Sequence, residues 1–207
     1  MKFFLSLILT FVFFSNIQAE QTEQARSEIG FWLGAANPFP GSPTSRVLDT
    51  TLGFGVIGRT QWPYTLYTEA GIYAANHLSQ TERGLTVAPA HLALAYKLPF
   101  EQLPVSIFLK AGGGAAYVIA RPANTAKWDP LAMLGAEVSF VAGKKVRIGL
   151  RMDYYRIFET YFQQTPEETR RIYLSPFDRD YRLYNPNYYK LQDAELFNFS
   201  LMVSFLL

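Results

Sequence analysis

The sequence predicts an all-β fold: a closed, up-and-down antiparallel transmembrane β-barrel of eight strands that follows a cleaved signal peptide. Three observations support this prediction. The chain begins with a short apolar segment typical of exported proteins. Most of the remaining sequence alternates between apolar and polar residues, in runs that are separated by turn residues. Within these runs, nearly all charged side chains fall on one face of the strand and the large aliphatic side chains on the other.

The first 19 residues have the three parts of a signal peptide. Lys2 gives a basic start, residues 3–14 are apolar, and Ala19 takes the last position of a cleavage region. The alternative is a membrane anchor, but the apolar run is shorter than the roughly 20 residues that a spanning helix needs. We therefore predict a signal peptide over 1–19, a polar lead-in over 20–27 and a barrel over 28–207.

Composition excludes several other classes of protein. Charged residues make up 17% of the chain and hydrophobic residues 49%, which is too apolar for disorder, while the mean hydropathy of +0.02 is low for a helical membrane protein. A net charge of +2 without basic runs gives no electrostatic footprint for nucleic acid. Because the chain has no cysteine and only two, distant histidines, we expect neither disulfides nor a metal or other cofactor.

Eight runs have the length and alternation of membrane strands, which need about 9–11 residues. An even number of strands places the N- and C-termini of the chain on the same side of the membrane, as in bacterial outer-membrane barrels. Pro89 lies inside the fourth run and lacks a ladder donor, so we expect either a bulge or a strand that begins near Ala90. The runs cover about 28–36, 50–59, 64–75, 86–98, 105–118, 131–142, 146–156 and 194–207.

The two faces of each run indicate which solvent surrounds the barrel. In the second run, Leu52, Phe54 and Val56 share one parity, and the corresponding parity of the other runs carries almost no charged side chain. A soluble barrel such as a periplasmic carrier buries its apolar face and exposes its charges. A barrel in lipid does the reverse, and it must close because lipid offers no partner to an open strand edge. The pattern therefore favours a membrane barrel.

Short and long connections alternate along the chain, as expected for short periplasmic turns and longer outer loops. The predicted short turns are 60–63, 99–104 and 143–145. The predicted long connections include 119–130 and, above all, 157–193.

The last strand carries a family resemblance. Residues 197–207 alternate apolar side chains and end in Leu207, with Phe205 two places earlier. In this strand and in its overall pattern the chain resembles the small OmpA/OmpX-type barrels, whose final strand usually ends in Phe and is read by the barrel-assembly machinery. The resemblance implies a place in the outer membrane of a Gram-negative-type bacterium, among lipid and lipopolysaccharide. It also implies that the assembly machinery recognises 197–207, and we expect a monomer.

Several charged residues have inward parity. Their spacing from the turns places Glu69, Lys110, Glu137 and Arg151 at a similar height, so Glu137 is expected to face Lys110 and Arg151 across neighbouring strands. One interpretation is a structural plug of paired charges; the other is a gate that opens an ion path when pairs exchange, as the OmpA resemblance implies. The predicted lumen cluster is Glu69, Lys110, Glu137, Arg147, Arg151 and Asp153.

The connection 157–193 is rich in tyrosine and arginine, which are favoured at binding hot spots. It is either a binding loop or a variable loop folded over the barrel mouth, and its arginines suit the anionic sugars of lipopolysaccharide. The candidate binding residues are Arg170, Arg171, Tyr173, Arg179, Tyr181 and Arg182.

The leading functional prediction is a non-enzymatic barrel with an envelope-structural or surface-loop role. A narrow pore gated by interior salt bridges comes second, a lipid A-modifying enzyme third and a soluble carrier last. Such an enzyme needs a serine with a histidine and a carboxylate. His91 has no serine two residues away, and His77 lies in a predicted loop with Ser79 and Glu82, so we predict no catalytic residue.

Overall fold

The computed structural model describes residues 27–42, 44–46, 48–62, 65–78, 84–100, 104–121, 125–158 and 193–207. The predicted signal peptide, nearly all of the lead-in and most of the long loop lie outside these residues. No helix within the described ranges is long and apolar enough to cross a membrane.

Eight antiparallel strands follow one another around a closed barrel. Each strand pairs with its neighbours in sequence, and β1 pairs with β8 to close the sheet. The predicted closed, up-and-down barrel of eight strands is confirmed. A short 3-10 turn, Thr44–Arg46, follows β1. The strands are β1 (Ser27–Pro38), β2 (Thr51–Gln61), β3 (Leu66–Leu78), β4 (Gly84–Lys97), β5 (Ser106–Arg121), β6 (Thr125–Ala142), β7 (Val146–Ile157) and β8 (Ala194–Leu206).

The alternation of the sequence becomes an apolar outer wall. In β2, Leu52 and Phe54 are 65% and 62% exposed, whereas Ile57, on the opposite face, is buried. The same division runs through the other strands, with large apolar side chains outside and nearly all charges inside. Lipid is the solvent in which such a wall is stable.

The two ends of the barrel differ in their connections. The turns 62–65, 98–105 and 143–145 lie at one end, which we call the turn end, together with the start of β1 and the end of β8. The opposite, loop end carries the connection 158–193. In the β6–β7 turn, Gly143 has a φ of 71°, a conformation that glycine adopts without steric cost.

Pro89 produces neither the expected bulge nor a late start. β4 runs through it and pairs Pro89 with Ala116 of β5. On the other side, the β3–β4 register is the same before and after the proline, with Ile72 opposite Ala90 and Ala75 opposite Val87. The ladder is interrupted only between these pairs, because proline cannot donate a ladder hydrogen bond.

The prediction of a long connection over 119–130 is wrong. β5 and β6 extend until residues 122–124 join them, so this part of the barrel rises beyond the end of β7. The extension is stabilised by paired side chains on the outer wall: Tyr117 and Trp128 are register partners with ring centroids 5.3 Å apart. Short and long connections therefore do not alternate strictly.

The lipid-facing wall leads to a depth-dependent prediction. We expect Leu92→Arg, in the middle of β4, to lower the free energy of unfolding by about 2–4 kcal/mol, because it places a charge near the bilayer midplane. Leu78→Arg, at the loop end of β3, is the matched control and is expected to cost about 0–1 kcal/mol. Urea unfolding in phospholipid vesicles measures both, and equal effects would contradict the assignment of the lipid face.

Candidate functional site

The lumen is filled by layers of different chemistry. Along β3 the inward residues change from Tyr67 at the turn end to Glu69, then to Tyr73 and Ala75. Charged side chains thus lie between an aromatic layer at the turn end and a mixed layer of aromatic and polar groups. An apolar layer follows toward the loop end. This outer apolar layer contains Ala36, Ala75, Val87, Val118, Ile157 and Leu196.

Arg59 of β2 stands at the centre of the charged layer. Its Nη1 donates to Glu28 Oε1 at 2.8 Å and to Glu137 Oε1 at 3.1 Å. Its Nη2 donates to Glu137 Oε2 and Glu69 Oε2 at 2.5 Å, and its Nε donates to the same Glu69 oxygen at 3.1 Å. All five N–H directions of the guanidinium are therefore used on three carboxylates, which is an arrangement that only arginine can make.

A second group of charges shares Glu69 with the first. Arg151 Nη2 lies 2.9 Å from Glu69 Oε1 and 2.7 Å from Asp153 Oδ2. Lys110 Nζ lies 2.9 Å from Asp153 Oδ1, and 3.7 Å and 3.8 Å from Glu137 and Glu69. Glu69 thus connects the two arginines, and Lys110 lies between three carboxylates.

The charges of this layer balance. The layer contains four acidic and four basic residues, which are named at the end of this paragraph and which we call the ion cluster. Seven of them are nearly fully buried, and Arg147 at the turn end is 7% exposed. Neutrality matters because an unpaired charge in a narrow, dry interior costs several kcal/mol. The acids are Glu28, Glu69, Glu137 and Asp153, and the bases are Arg59, Lys110, Arg147 and Arg151.

Aromatic side chains cover the ion cluster toward the turn end. The guanidinium carbon of Arg59 lies 4.8 Å, and that of Arg147 5.1 Å, from the centroid of the Phe108 ring. Tyr67 packs edge-on against the same ring at 5.3 Å. Phe108 and Tyr67 are buried, so they separate the charges from the water at this end.

Comparison with known proteins adds to this geometry. No protein-family model matches the sequence, and no curated protein is similar to it. Among solved structures, Neisserial surface protein A matches 88% of this chain and 99% of its own chain, with a TM-score of 0.57 and 10% sequence identity. The protein has the fold of a small outer-membrane barrel.

A second solved structure agrees. A major outer membrane protein from Thermus thermophilus matches 86% of this chain and 99% of its own chain, with a TM-score of 0.51 and 11% identity. Identities this low establish a shared fold and carry no information about activity. The resemblance to OmpA/OmpX-type barrels is confirmed for the fold. Together with the apolar wall, it places the barrel in the outer membrane of a Gram-negative-type bacterium. Because short turns face the periplasm in such barrels, we expect the turn end to be periplasmic.

The structure brings five predicted lumen residues into direct contact: Glu69, Lys110, Glu137, Arg151 and Asp153. The sixth, Arg147, joins through Glu28, with Nε 3.5 Å from Oε2. The expected pairing differs in one respect. Glu137 and Arg151 are register partners. Among the described contacts, however, Glu137 hydrogen-bonds Arg59, and Arg151 hydrogen-bonds Glu69 and Asp153.

Sequence reasoning missed Arg59 and Glu28. Arg59 follows the inward residue Ile57 by two positions, and Glu28 precedes the inward Gly30 by two. Inward parity was therefore a sufficient signal for both. They lie at the ends of their predicted runs, where strand and turn are hardest to separate.

The two histidines show no catalytic arrangement in the described part of the chain. His91 is buried in the lumen, with Nε2 3.5 Å from Glu69 Oε1 and its ring 5.7 Å from Tyr155, and neither ring nitrogen forms a hydrogen bond. The prediction that His77 lies in a loop is wrong. His77 is buried in β3, and its Nδ1 lies 3.1 Å from the carbonyl oxygen of Asp49. Its predicted neighbours Ser79 and Glu82 lie outside the described residues.

No metal site appears in the ranges that the structure covers, since no group of three His, Asp or Glu residues is suitably placed. The loop candidates also lie outside the described residues and remain predictions. They are Arg170, Arg171, Tyr173, Arg179, Tyr181 and Arg182.

Removing the centre of the ion cluster tests its role. We expect Arg59→Leu to lower the free energy of unfolding by about 3–5 kcal/mol, because it leaves buried carboxylates without a partner. Arg59→Lys is expected to lose less, since it keeps the charge but not the five-donor geometry. The control is Arg156→Ala, which breaks an exposed ion pair with Asp193 and should cost little. Urea unfolding in vesicles measures all three, and a harmless Arg59→Leu would show that the cluster does not hold the barrel together.

Proposed function

We propose that the protein is a non-enzymatic outer-membrane barrel that supports the envelope and presents the connection 158–193 at the cell surface. The observation that carries this proposal is the filled lumen. The side chains of Arg59, Glu69, Glu137 and Arg151 have 0% exposure, and apolar side chains cover them on both sides. A lumen of this kind suits a rigid support better than a path for solutes.

A gated pore is the second candidate, and one observation favours it. Lys110 Nζ is 2.9 Å from Asp153 and within 3.8 Å of both Glu137 and Glu69, so a small movement exchanges its partners. Exchange within the cluster leaves the outer apolar layer, including Val87 and Leu196, in place. An ion would still have to pass these apolar side chains, where its desolvation is costly. The structural role is therefore the better supported.

An enzymatic role toward lipid A has less support. His91 and Glu69 approach each other, but both side chains are buried in the lumen. Nucleophilic catalysis also requires a serine hydroxyl aligned with the imidazole. Both ring nitrogens of His91 lack a hydrogen bond, so the geometry of the described residues supports the non-enzymatic proposal.

The loop end supplies an anchor for the surface connection. Thr44 Oγ1 donates to the carbonyl oxygen of Asp193 at 3.4 Å and accepts from the Glu195 N–H at 3.3 Å. Phe39 N–H donates to the Glu195 carbonyl at 2.8 Å. The returning end of the connection is thus tied to the segment after β1, which supports its role as a loop presented on a fixed rim.

The proposal includes partners. Membrane lipid surrounds the barrel, and we propose that lipopolysaccharide sugars contact the loop arginines. We also propose that the assembly machinery recognises residues 197–207 and that the barrel is a monomer. In the folded barrel, the N–H of Leu207 donates to the carbonyl of Ser27, so this segment is available only before the barrel closes.

Conductance separates the structural role from the pore. In planar lipid bilayers, we expect the wild-type protein and Lys110→Ala to give no conductance steps. Lys110→Ala is expected to unfold at a lower urea concentration, because it removes the cation at Asp153 Oδ1 and leaves the buried ion cluster with one uncompensated negative charge. Steps in the wild type that Lys110→Ala abolishes or enlarges would instead establish a gate. Unchanged conductance together with unchanged stability would argue against both interpretations.

Replacing residues 162–189 by a short Gly-Ser linker tests the surface role. We expect the variant to retain the heat-modifiable gel migration of a folded barrel, because the linker lies outside the strands. Binding of purified lipopolysaccharide is expected to fall, and Gln at all four loop arginines should reproduce most of that loss in the full-length chain. Binding that survives both changes would remove the loop from the proposal.

A further inference from the structure

The crowded lumen explains most glycines of the strands. A Cβ atom at Gly71 would come within 2.5 Å of the His91 ring, and one at Gly149 within 2.6 Å of Ser139. Gly58, inside β2, differs from the other glycines described within the strands. A Cβ atom there would meet no atom within 4 Å, and the φ of Gly58 is not in the left-handed region. Glycine weakens a strand and often marks a place that a ligand approaches closely. Neither packing nor backbone conformation accounts for this residue.

Gly58 forms the floor of a groove in the outer wall. It points to the lipid side and pairs with Ile29 of β1 and Ala70 of β3, and Ala70 pairs in turn with Leu92 of β4. The two small residues are therefore flanked by two large ones in the same row. The groove has a volume of about 640 Å³ and is lined almost entirely by apolar atoms.

A second groove of about 740 Å³ continues the first toward the periplasm. Both are lined by Ile29, Gly58 and Ala70, so together they form one trough. The lining of the lower part is more polar and ends at the periplasmic rim. It includes Ser27, Thr60, Gln61, Trp62 and Thr68.

We propose that this trough binds one acyl chain of a phospholipid of the periplasmic leaflet, with the ester and headgroup region at Thr60 and Thr68. The polarity of the trough matches that of the ligand, being apolar over its length and hydroxyl-bearing at its periplasmic mouth. Gly58 lies three residues before the end of β2, roughly 10 Å from the rim, which is the depth of the leaflet nearest the periplasm. Trp62 at the mouth is a residue type that prefers the interface.

The shape of the trough favours a lipid over another protein. The floor at Gly58 and Ala70 is recessed between Ile29 and Leu92, which are 45% and 64% exposed. A flexible chain enters such a recess, whereas the convex wall of a second barrel would rest on the two flanking side chains. The proposal concerns only the lipid-facing wall, so it holds or fails independently of whether the lumen conducts.

Native mass spectrometry of the intact barrel, with palmitoyl-oleoyl phosphatidylethanolamine added after delipidation, tests the proposal. We expect the wild type to retain one phospholipid. The fraction of Gly58→Leu with a bound phospholipid is expected to be at least ten-fold lower, because leucine fills the recess. Its side chain enters open space, so the barrel should fold, which heat-modifiable gel migration checks. Ala136→Leu, on the outer wall of β6, is the matched control and should retain the lipid as the wild type does.

Ala70→Leu provides a second variant that fills the same floor and should lose the lipid as Gly58→Leu does. Equal retention by the wild type and both filled variants would overturn the proposal, as would no retention by the wild type. Preferential retention of lipid A, or of a second copy of the chain at the wild-type trough, would also overturn it.

Discussion

The interior of this barrel depends on the contacts of one guanidinium group. Arg59 on β2 forms ion pairs with carboxylates on β1, β3 and β6. One of these carboxylates, Glu69, also forms an ion pair with Arg151 on β7. None of these charges is tolerable alone in a lumen this narrow. The cluster therefore fixes the relative height of five strands, because a strand that slipped by two residues would separate a charge from its partners.

The same narrow lumen explains the glycines of the inward face. Several large inward side chains lie beside a glycine of a neighbouring strand, which leaves them the space they need. Gly71 lies beside His91, and Gly135 lies beside Lys110 and Asp153. The interior is thus one packing solution in which polar bulk and missing side chains belong together. Gly58 faces the opposite way, which is why it needs a separate explanation.

The sequence predicted the strands well, because period-two alternation is a direct consequence of one wall facing lipid. It predicted the outer half of β6 poorly, since Pro130 and the polar residues before it have the composition of a loop. Pairing inside the lumen was harder. Adjacent strands can be aligned by register, but Arg59 contacts Glu137 from β2 to β6, and Arg151 contacts Glu69 from β7 to β3. Those pairs depend on barrel diameter and side-chain reach, which strand order does not supply.

The pairing of β1 with β8 has a consequence for how the barrel is made. This seam joins strands from opposite ends of the barrel sequence, for instance Glu28 with Leu206. Closing so long a loop carries the largest entropic cost of any contact in the sheet, so we expect this seam to form late in folding. Until then, β1 and β8 each expose a full row of unpaired backbone groups that lipid cannot satisfy. A barrel that has not yet closed would therefore need both of these strand edges covered, since an open edge readily pairs with other chains.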